Sequence, residues 1–480
     1  MDFQDLVTHG IEFGSNQGAD YVELRYIDAI NEGLGMINGD ILSAVLTEST
    51  GIGIRVLVDG GMSFVSTARL TKTDIEDAVK TAVKLAKVSR RKNKIKLSEE
   101  KPVQTRWKVN VKTPFPEVDA ETKIARLLEL DKEILNSVEK GTLSNRNAFV
   151  SLETHKKFIG TSEGTRIESD YSLGFIYVML TAASGEKTEQ RSTGRGQTAG
   201  FEFFESPDFI NTYIEEAKTV KEVVEKAKAR AFDKPIDVII GAEVAGIMAH
   251  ENAGHPSEMD RISGREGAEA GESFWRDIKI GEEQIGSPAV TVMDDPTIPK
   301  SAGYYEYDDE GVKAKPRHLI KDGIINEPLM NRQFAAVRGV KSNAAARSIA
   351  FDREPLIRMA NTYIKPGDYT LDELVEDIKL GLFIENFTEW NIDDRRYQSK
   401  YTGSTARLIE NGEITDQYIY RPIIEITSKG LFTSIDAVGK GFRGDFATCG
   451  KSNPSQGCPV WTAGPTEGVR MRNIRLGGAQ

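Results

Sequence analysis

Two histidines five residues apart, in His250-Glu251-Asn252-Ala253-Gly254-His255, are the tightest constraint on how this 480-residue chain can fold. The chain has five histidines in all, and two of them fall here with a carboxylate between them. Two neutral imidazoles can each give a nitrogen to Zn²⁺, and a carboxylate beside the first can take a proton from a water on the metal. The spacing resists the simplest local structure. Histidines four apart share a helix face, whereas five apart they are splayed by about 140° on an ideal α-helix. The segment must therefore end its helix or bulge between the two rings. Gly254 and Pro256, on either side of His255, are residues that commonly end one. Upstream, 235–240 reads as a buried strand, Gly241 as a break, and 242–253 as a short helix of small residues packed closely on that strand. The expected arrangement has His250 and Glu251 in the last helical turn and His255 opening the turn that folds back.

A structural zinc takes four protein ligands, whereas a catalytic one usually takes three and leaves a position for water. The best candidate for the third is Cys449 in Thr448-Cys449-Gly450-Lys451, because the chain has only one other cysteine, Cys458, and a thiolate binds Zn²⁺ well. On residue chemistry alone the histidines serve equally as ligands or as capping and core residues. By the same standard Cys449 reads first as a small buried hydrophobe.

Three ordered blocks carry a resemblance that changes this balance. His250-Glu251-Asn252-Ala253-Gly254-His255-Pro256-Ser257-Glu258 resembles the His-Glu-x-x-Gly-His signature of the TldD/PmbA family, specifically its TldD branch, since the PmbA (TldE) branch lacks that motif. Tyr307-Asp308-Asp309-Glu310-Gly311, followed by Leu319-Ile320-Lys321-Asp322-Gly323, is similar to a block that both branches carry. Cys449-Gly450-Lys451, with Gln456, Pro459-Val460, Gly464-Pro465-Thr466 and Gly477-Gly478 behind it, resembles the family's C-terminal cysteine block. The similarity runs through essentially the whole chain. It implies a zinc metallopeptidase acting on peptides, with one Zn²⁺ per chain held by His250, His255 and Cys449, and with Glu251 as the catalytic base. It also implies association, either as a homodimer or as a heterodimer with a PmbA-type paralogue. Two stretches depart from the family's pattern. The spacer between Lys451 and Pro459 is slightly long and carries Cys458, and 386–401, with Trp390 and Asp393-Asp394-Arg395-Arg396, differs from what bacterial members lead one to expect.

Two other readings of these residues make different predictions. A cysteine hydrolase with Cys449 as nucleophile and His250 or His255 as base leaves Glu251 idle. A noncatalytic binding or scaffold protein with a structural zinc predicts that Glu251→Gln changes nothing.

Composition bounds the remaining possibilities. A net charge of -11 and a pI near 5.3 argue against nonspecific affinity for nucleic acid or an anionic membrane. No apolar run reaches the roughly 20 residues of a membrane span. Met1-Asp2-Phe3-Gln4-Asp5 has none of the features of a secretory leader, so a cytoplasmic protein is expected.

The fold class expected is α+β, in three domains. Residues 1–95 read as an α/β unit: 19–26 and 51–58 alternate as strands, Asp59-Gly60-Gly61 turns into a hairpin partner, and Thr71 caps a helix. Residues 96–231 read as a second α/β domain with a helix capped by Asp119, strands around 149–159 and 175–181, and a further helix. Residues 232–480 read as a β-rich, barrel-like domain of short strands, 303–307 among them, carrying the metal site. Gly194-Arg195-Gly196 lacks the ending of a phosphate loop and is read as an ordinary loop, and His155 is expected to be exposed. Tyr304, Tyr305, Tyr307 and Arg317 have the right chemistry to stabilise an oxyanion, and His318 could lie near the site, but nothing in the sequence singles one out.

Overall fold

Four long strands, Tyr21–Ile37, Asp40–Val58, Leu143–Thr161 and Arg166–Ser184, form the antiparallel centre of a seven-stranded sheet in the computed structural model, which describes residues 2–267 and 271–477. Gly478, the last residue of the C-terminal motif, lies outside the described residues. Alternation sorts the strand side chains onto two faces. Leu24 and Tyr26 belong to a core closed by helices Phe3–Asn16 and Lys72–Val88, whereas Leu34 and Met36 belong to one closed by Ala120–Asn136 and Pro207–Lys226. All four helices thus cover one face of a sheet to which residues on both sides of position 95 contribute strands. Thr71 and Asp119 cap their helices as read, each accepting a backbone N–H three residues on.

The other face of the sheet meets the C-terminal domain through buried charge. Arg55 bridges Glu23 and Glu310 at 2.6 Å each, and Lys157 reaches Asp309 at 3.3 Å. Asp308 accepts the backbone N–H groups of Glu310, Val312 and Ala346, which shapes the loop that presents its two acidic neighbours. The Tyr307–Gly311 block therefore acts as the joint between the two halves. Beside this joint lies a cavity of about 380 Å³ lined by Trp107, His155, Tyr171, Tyr304, Tyr305 and Tyr307.

Two six-stranded sheets and a four-stranded one curl through residues 236–477, with a half-barrel among them. Ile236–Ile240 sits inside one six-stranded sheet, parallel to Leu380–Ile384 and antiparallel to Val469–Ile474. The helix that follows, Ala242–Ala249, is buried all round and packs on strand Gln456–Gly464 of the other six-stranded sheet. Gly246 makes that approach possible, because a Cβ there would lie 2.7 Å from the Ala463 backbone nitrogen. Among the described residues, no helix is long and apolar enough to cross a membrane.

Three local expectations are corrected. Gly194-Arg195-Gly196 is not loop but part of strand Lys187–Gln197, and its glycines admit Phe446: a Cβ on Gly194 would lie 2.5 Å from the Phe446 carbonyl oxygen. His155 is largely buried, stacked on Tyr171 at 4.8 Å and hydrogen-bonded to Glu153 at 2.9 Å. Residues 303–307 were expected to be a strand but are irregular, with only an isolated bridge from Tyr307 to Lys313.

The Gly246 contact is directly testable. Gly246→Ala pushes a methyl group into backbone that cannot rotate away, so unfolding free energy should fall by about 1–3 kcal/mol. A urea titration should show a lower midpoint at unchanged slope.

Candidate metal centre

The helix neither stops after Glu251 nor turns back at His255. It widens: residues His250–Gly254 form a single π-helical turn, in which the His255 backbone N–H donates to the His250 carbonyl, and α-helical geometry resumes over His255–Ser257. Closing a turn with five residues instead of four brings positions five apart back to nearly the same face, which resolves the mismatch in spacing. Gly254 is required where it stands, since a Cβ there would lie 2.1 Å from Met359 Sδ. Asn252, fully buried at the centre of the turn, donates to Ser399 Oγ at 3.1 Å and Ser428 Oγ at 2.9 Å and accepts from Tyr401 Oη. The bulge is thus held from two other segments of the domain, strand Gln398–Gly403 and helix Ser428–Ser434.

Both imidazoles aim at Cys449. His250 Nε2 lies 3.2 Å and His255 Nε2 3.4 Å from Cys449 Sγ, with the two rings nearly perpendicular at 4.9 Å. One donor atom from each residue falls within 4.8 Å of the others, and all three residues are buried. A tetrahedral Zn²⁺, with bonds of about 2.0–2.1 Å to nitrogen and about 2.3 Å to sulfur, sets N···S separations of about 3.5 Å. The donor set and its spacing therefore fit zinc. Burial pushes the Cys449 thiol up, but His255 and Arg358 outweigh it and bring the thiol down to about 7, which favours the thiolate that a metal needs. Burial lowers the His250 imidazole, which keeps it neutral and able to donate a lone pair.

Behind His255 lies an ionic cluster that the sequence analysis did not single out. Glu258 Oε2 is 3.0 Å from His255 Nδ1, the arrangement that fixes ring plane and tautomer in carboxylate–histidine–metal sites. The same carboxylate accepts from Arg261 Nε and lies 3.2 Å from Lys451 Nζ, two residues beyond Cys449. Lys451 also reaches both oxygens of Asp260 at 2.8 Å. Burial would raise the Glu258 carboxyl, but Lys451, Arg261 and His255 hold it well below the usual carboxylate range. Glu258 and Lys451 stand inside the two motifs already quoted, so their presence was visible in the sequence and their partnership was not.

Glu251 is buried and held by two partners distant in the chain. Trp390 Nε1 donates to its Oε1 at 3.1 Å, and Arg396 pairs with Oε2 at 3.5 Å. Burial pushes this carboxyl up, yet His255, His250, Arg396 and the Trp390 hydrogen bond bring it below its ordinary value, so it is ionised. Trp390 and Arg396 belong to the stretch that departs from the family pattern. It folds as a hairpin of strands Phe387–Ile392 and Gln398–Gly403.

The oxyanion candidates have surroundings of their own. Tyr304, Tyr305 and Tyr307 line the cavity on the side of the N-terminal sheet, Tyr305 donating to the Ala344 carbonyl at 2.7 Å. Arg317 is wholly buried against Asp294 and Ala344. His318 is half-buried in strand Arg317–Lys321, its backbone N–H donating to Glu327.

Comparison with known proteins finds matches along most of the chain. Models of the PmbA/TldA metallopeptidase domain 1, central domain and C-terminal domain match residues 22–86, 113–231 and 233–478. A metalloprotease of Methanocaldococcus jannaschii is 30% identical over 455 residues, covering 93% of this chain and 95% of its own. A zinc metalloprotease TldD homolog of Saccharolobus solfataricus is 25% identical over 475 residues, covering 96% and 97%. The crystal structure of TldE from Thermococcus kodakarensis superposes with a TM-score of 0.77 at 16% identity, covering 99% of each chain, which is a likeness of fold.

Removing the negative charge of Glu258 leaves Arg261, Lys451 and Arg358 buried with too few counter-charges. Glu258→Gln should cost about 3 kcal/mol or more. Chemical denaturation of metal-free protein isolates this cost from any effect on metal binding.

Proposed function

This chain belongs to the PmbA/TldD metallopeptidase family, and from that premise we propose that it is a TldD-type zinc peptidase that hydrolyses short or unfolded peptides. The observation that carries the reading is the convergence of His250, His255 and Cys449 on one point with Glu251 beside them. His250 and His255 would hold the metal through Nε2 and Cys449 through Sγ, one ion per chain. When bound, zinc supplies a Lewis acid that polarises a peptide carbonyl and acidifies a water.

The rest of the reaction falls to the protein. Glu251, ionised and held by Trp390 and Arg396, accepts the proton of the attacking water on a carboxylate oxygen and delivers it to the departing amine nitrogen. Glu258 keeps the His255 ring in one plane while charge changes nearby. The hairpin carrying Trp390 roofs Glu251 and limits its contact with bulk water. The name of the Saccharolobus relative supports zinc as the metal, and the fold shared with TldE supports pairing with a PmbA-type paralogue or a second copy of this chain.

A cysteine nucleophile is the competing reading, since the Cys449 thiol is brought down to about 7 beside an imidazole. Two imidazoles converging on one sulfur suit a metal better than a nucleophile and base, which need one. A strong chelator discriminates: it should abolish peptide cleavage, and added zinc should restore it.

Elemental analysis should find about one zinc per chain, lost in Cys449→Ser. Glu251→Gln should keep its zinc and lose about 10²–10⁴-fold in kcat on a peptide substrate. Full activity in Glu251→Gln would sink the role given to this carboxylate. Trp390→Phe should lower kcat about fivefold, the equivalent of one hydrogen bond of about 1 kcal/mol, at unchanged zinc content.

A further inference from the structure

Cys458 has no part in the metal reading, yet the fold sets it directly across from Cys449. Strands Arg443–Lys451 and Gln456–Gly464 pair antiparallel in a register that opposes the two cysteines. Opposed residues of an antiparallel pair send their side chains to the same face. The hydrogen bonding around them indicates their separation. The Thr448 N–H turns out of the ribbon to Tyr177 Oη at 3.0 Å, and Pro459 opposite it has no N–H to give. That pair is therefore a non-hydrogen-bonded one, and the next, Cys449 with Cys458, is a hydrogen-bonded one with Cα atoms about 5.5 Å apart. Disulfides most often span about 5.5–6 Å between Cα atoms.

The surroundings favour reaction between the two sulfurs. Both cysteines are free and buried, Cys449 at 7% exposure and Cys458 at 1%. Arg358 is buried beside them and donates to the carbonyls of Cys449 and Gln456, which pins both strands. Its positive charge lies close to both sulfurs.

We propose that Cys449 and Cys458 form a reversible disulfide, a redox modification site that withdraws Cys449 from the metal centre. The oxidant is a small-molecule disulfide. The Cys449 thiolate attacks one of its sulfurs, forming a mixed disulfide and releasing one small thiolate. Cys458 then gives up its proton and attacks Cys449 Sγ, so the protein disulfide forms as the second small thiolate leaves. Two protein thiols are oxidised, one small disulfide is reduced to two thiols, and the protons released go to the departing thiolates. The cross-link is a claim about the two sulfurs alone, whereas the loss of metal rests on Cys449 being a ligand.

The test uses the full-length protein, zinc-loaded and chelator-stripped, incubated with oxidised glutathione and digested without reduction. The expected result is a peptide pair joined through Cys449 and Cys458, an intact mass lower by two hydrogens, release of zinc in step with the cross-link, and full reversal by dithiothreitol. Cys458→Ala should retain zinc and peptidase activity as purified, form no cross-link, and end as a glutathione adduct on Cys449. Stripped wild-type protein that keeps both thiols, or halts at the same adduct as the variant, overturns the proposal. A cross-link that forms while zinc stays bound upholds the disulfide and overturns Cys449 as a metal ligand.

Discussion

The Glu258 carboxylate accepts a hydrogen bond from His255 and lies among Arg261, Lys451 and Arg358, and this buried contact joins the histidine helix to the cysteine ribbon. Taking such charges out of water costs several kcal/mol per ion, and the attraction between them returns that only when every partner is in place. Apolar replacements of similar shape are often as stable, so stability alone does not account for the cluster. Its geometric consequence does. With Lys451 anchored to Glu258 and Asp260, Cys449 two residues earlier is carried to the His255 ring, whose plane the same carboxylate sets. The spacing of the three donor atoms thus follows from contacts among the protein's own side chains.

A second constraint acts on the helix itself. A π turn trades good α-helical hydrogen bonds for a wider loop and persists where surrounding structure compensates. Here Asn252 anchors it to Ser399, Tyr401 and Ser428, so the hairpin Phe387–Ile392/Gln398–Gly403 is tied to the turn. The same hairpin delivers Trp390, and the turn after it Arg396, to Glu251. One element therefore both holds the bulge and orients the proposed base. This gives a segment that departs from the family pattern a role in the shape of the site and, on the proposed mechanism, in its rate.

Much of this was legible along the chain. The alternation of Val22, Leu24 and Tyr26, the helix caps at Thr71 and Asp119, and the apolar strand ending at Ile240 are short-range signals, and each appears where it was read. The five-residue spacing of the histidines required a break or bulge, but could not say which, because that choice depends on Asn252 finding partners about 150 residues away. Gly194 and Gly196 misled for a related reason. Glycines in a polar stretch suggest a loop, and only Phe446, from a strand far along the chain, explains why they are needed in a sheet, its carbonyl approaching Gly194 and its ring Gly196.

The sequence by itself determined the donor chemistry, two histidines, one thiol and one carboxylate, and the strand and helix that lead into the first histidine, because residue type and periodicity are local properties. It also contained Glu258, Lys451, Trp390 and Arg396, without any indication that they belong together. Only the tertiary structure decided that Glu258 orients His255, that Trp390 and Arg396 hold Glu251, and that Cys458 lies across from Cys449. Those are matters of strand register and buried charge pairing. Register depends on partners distant in the chain, and a shift of one residue would send every side chain of the ribbon to its opposite face.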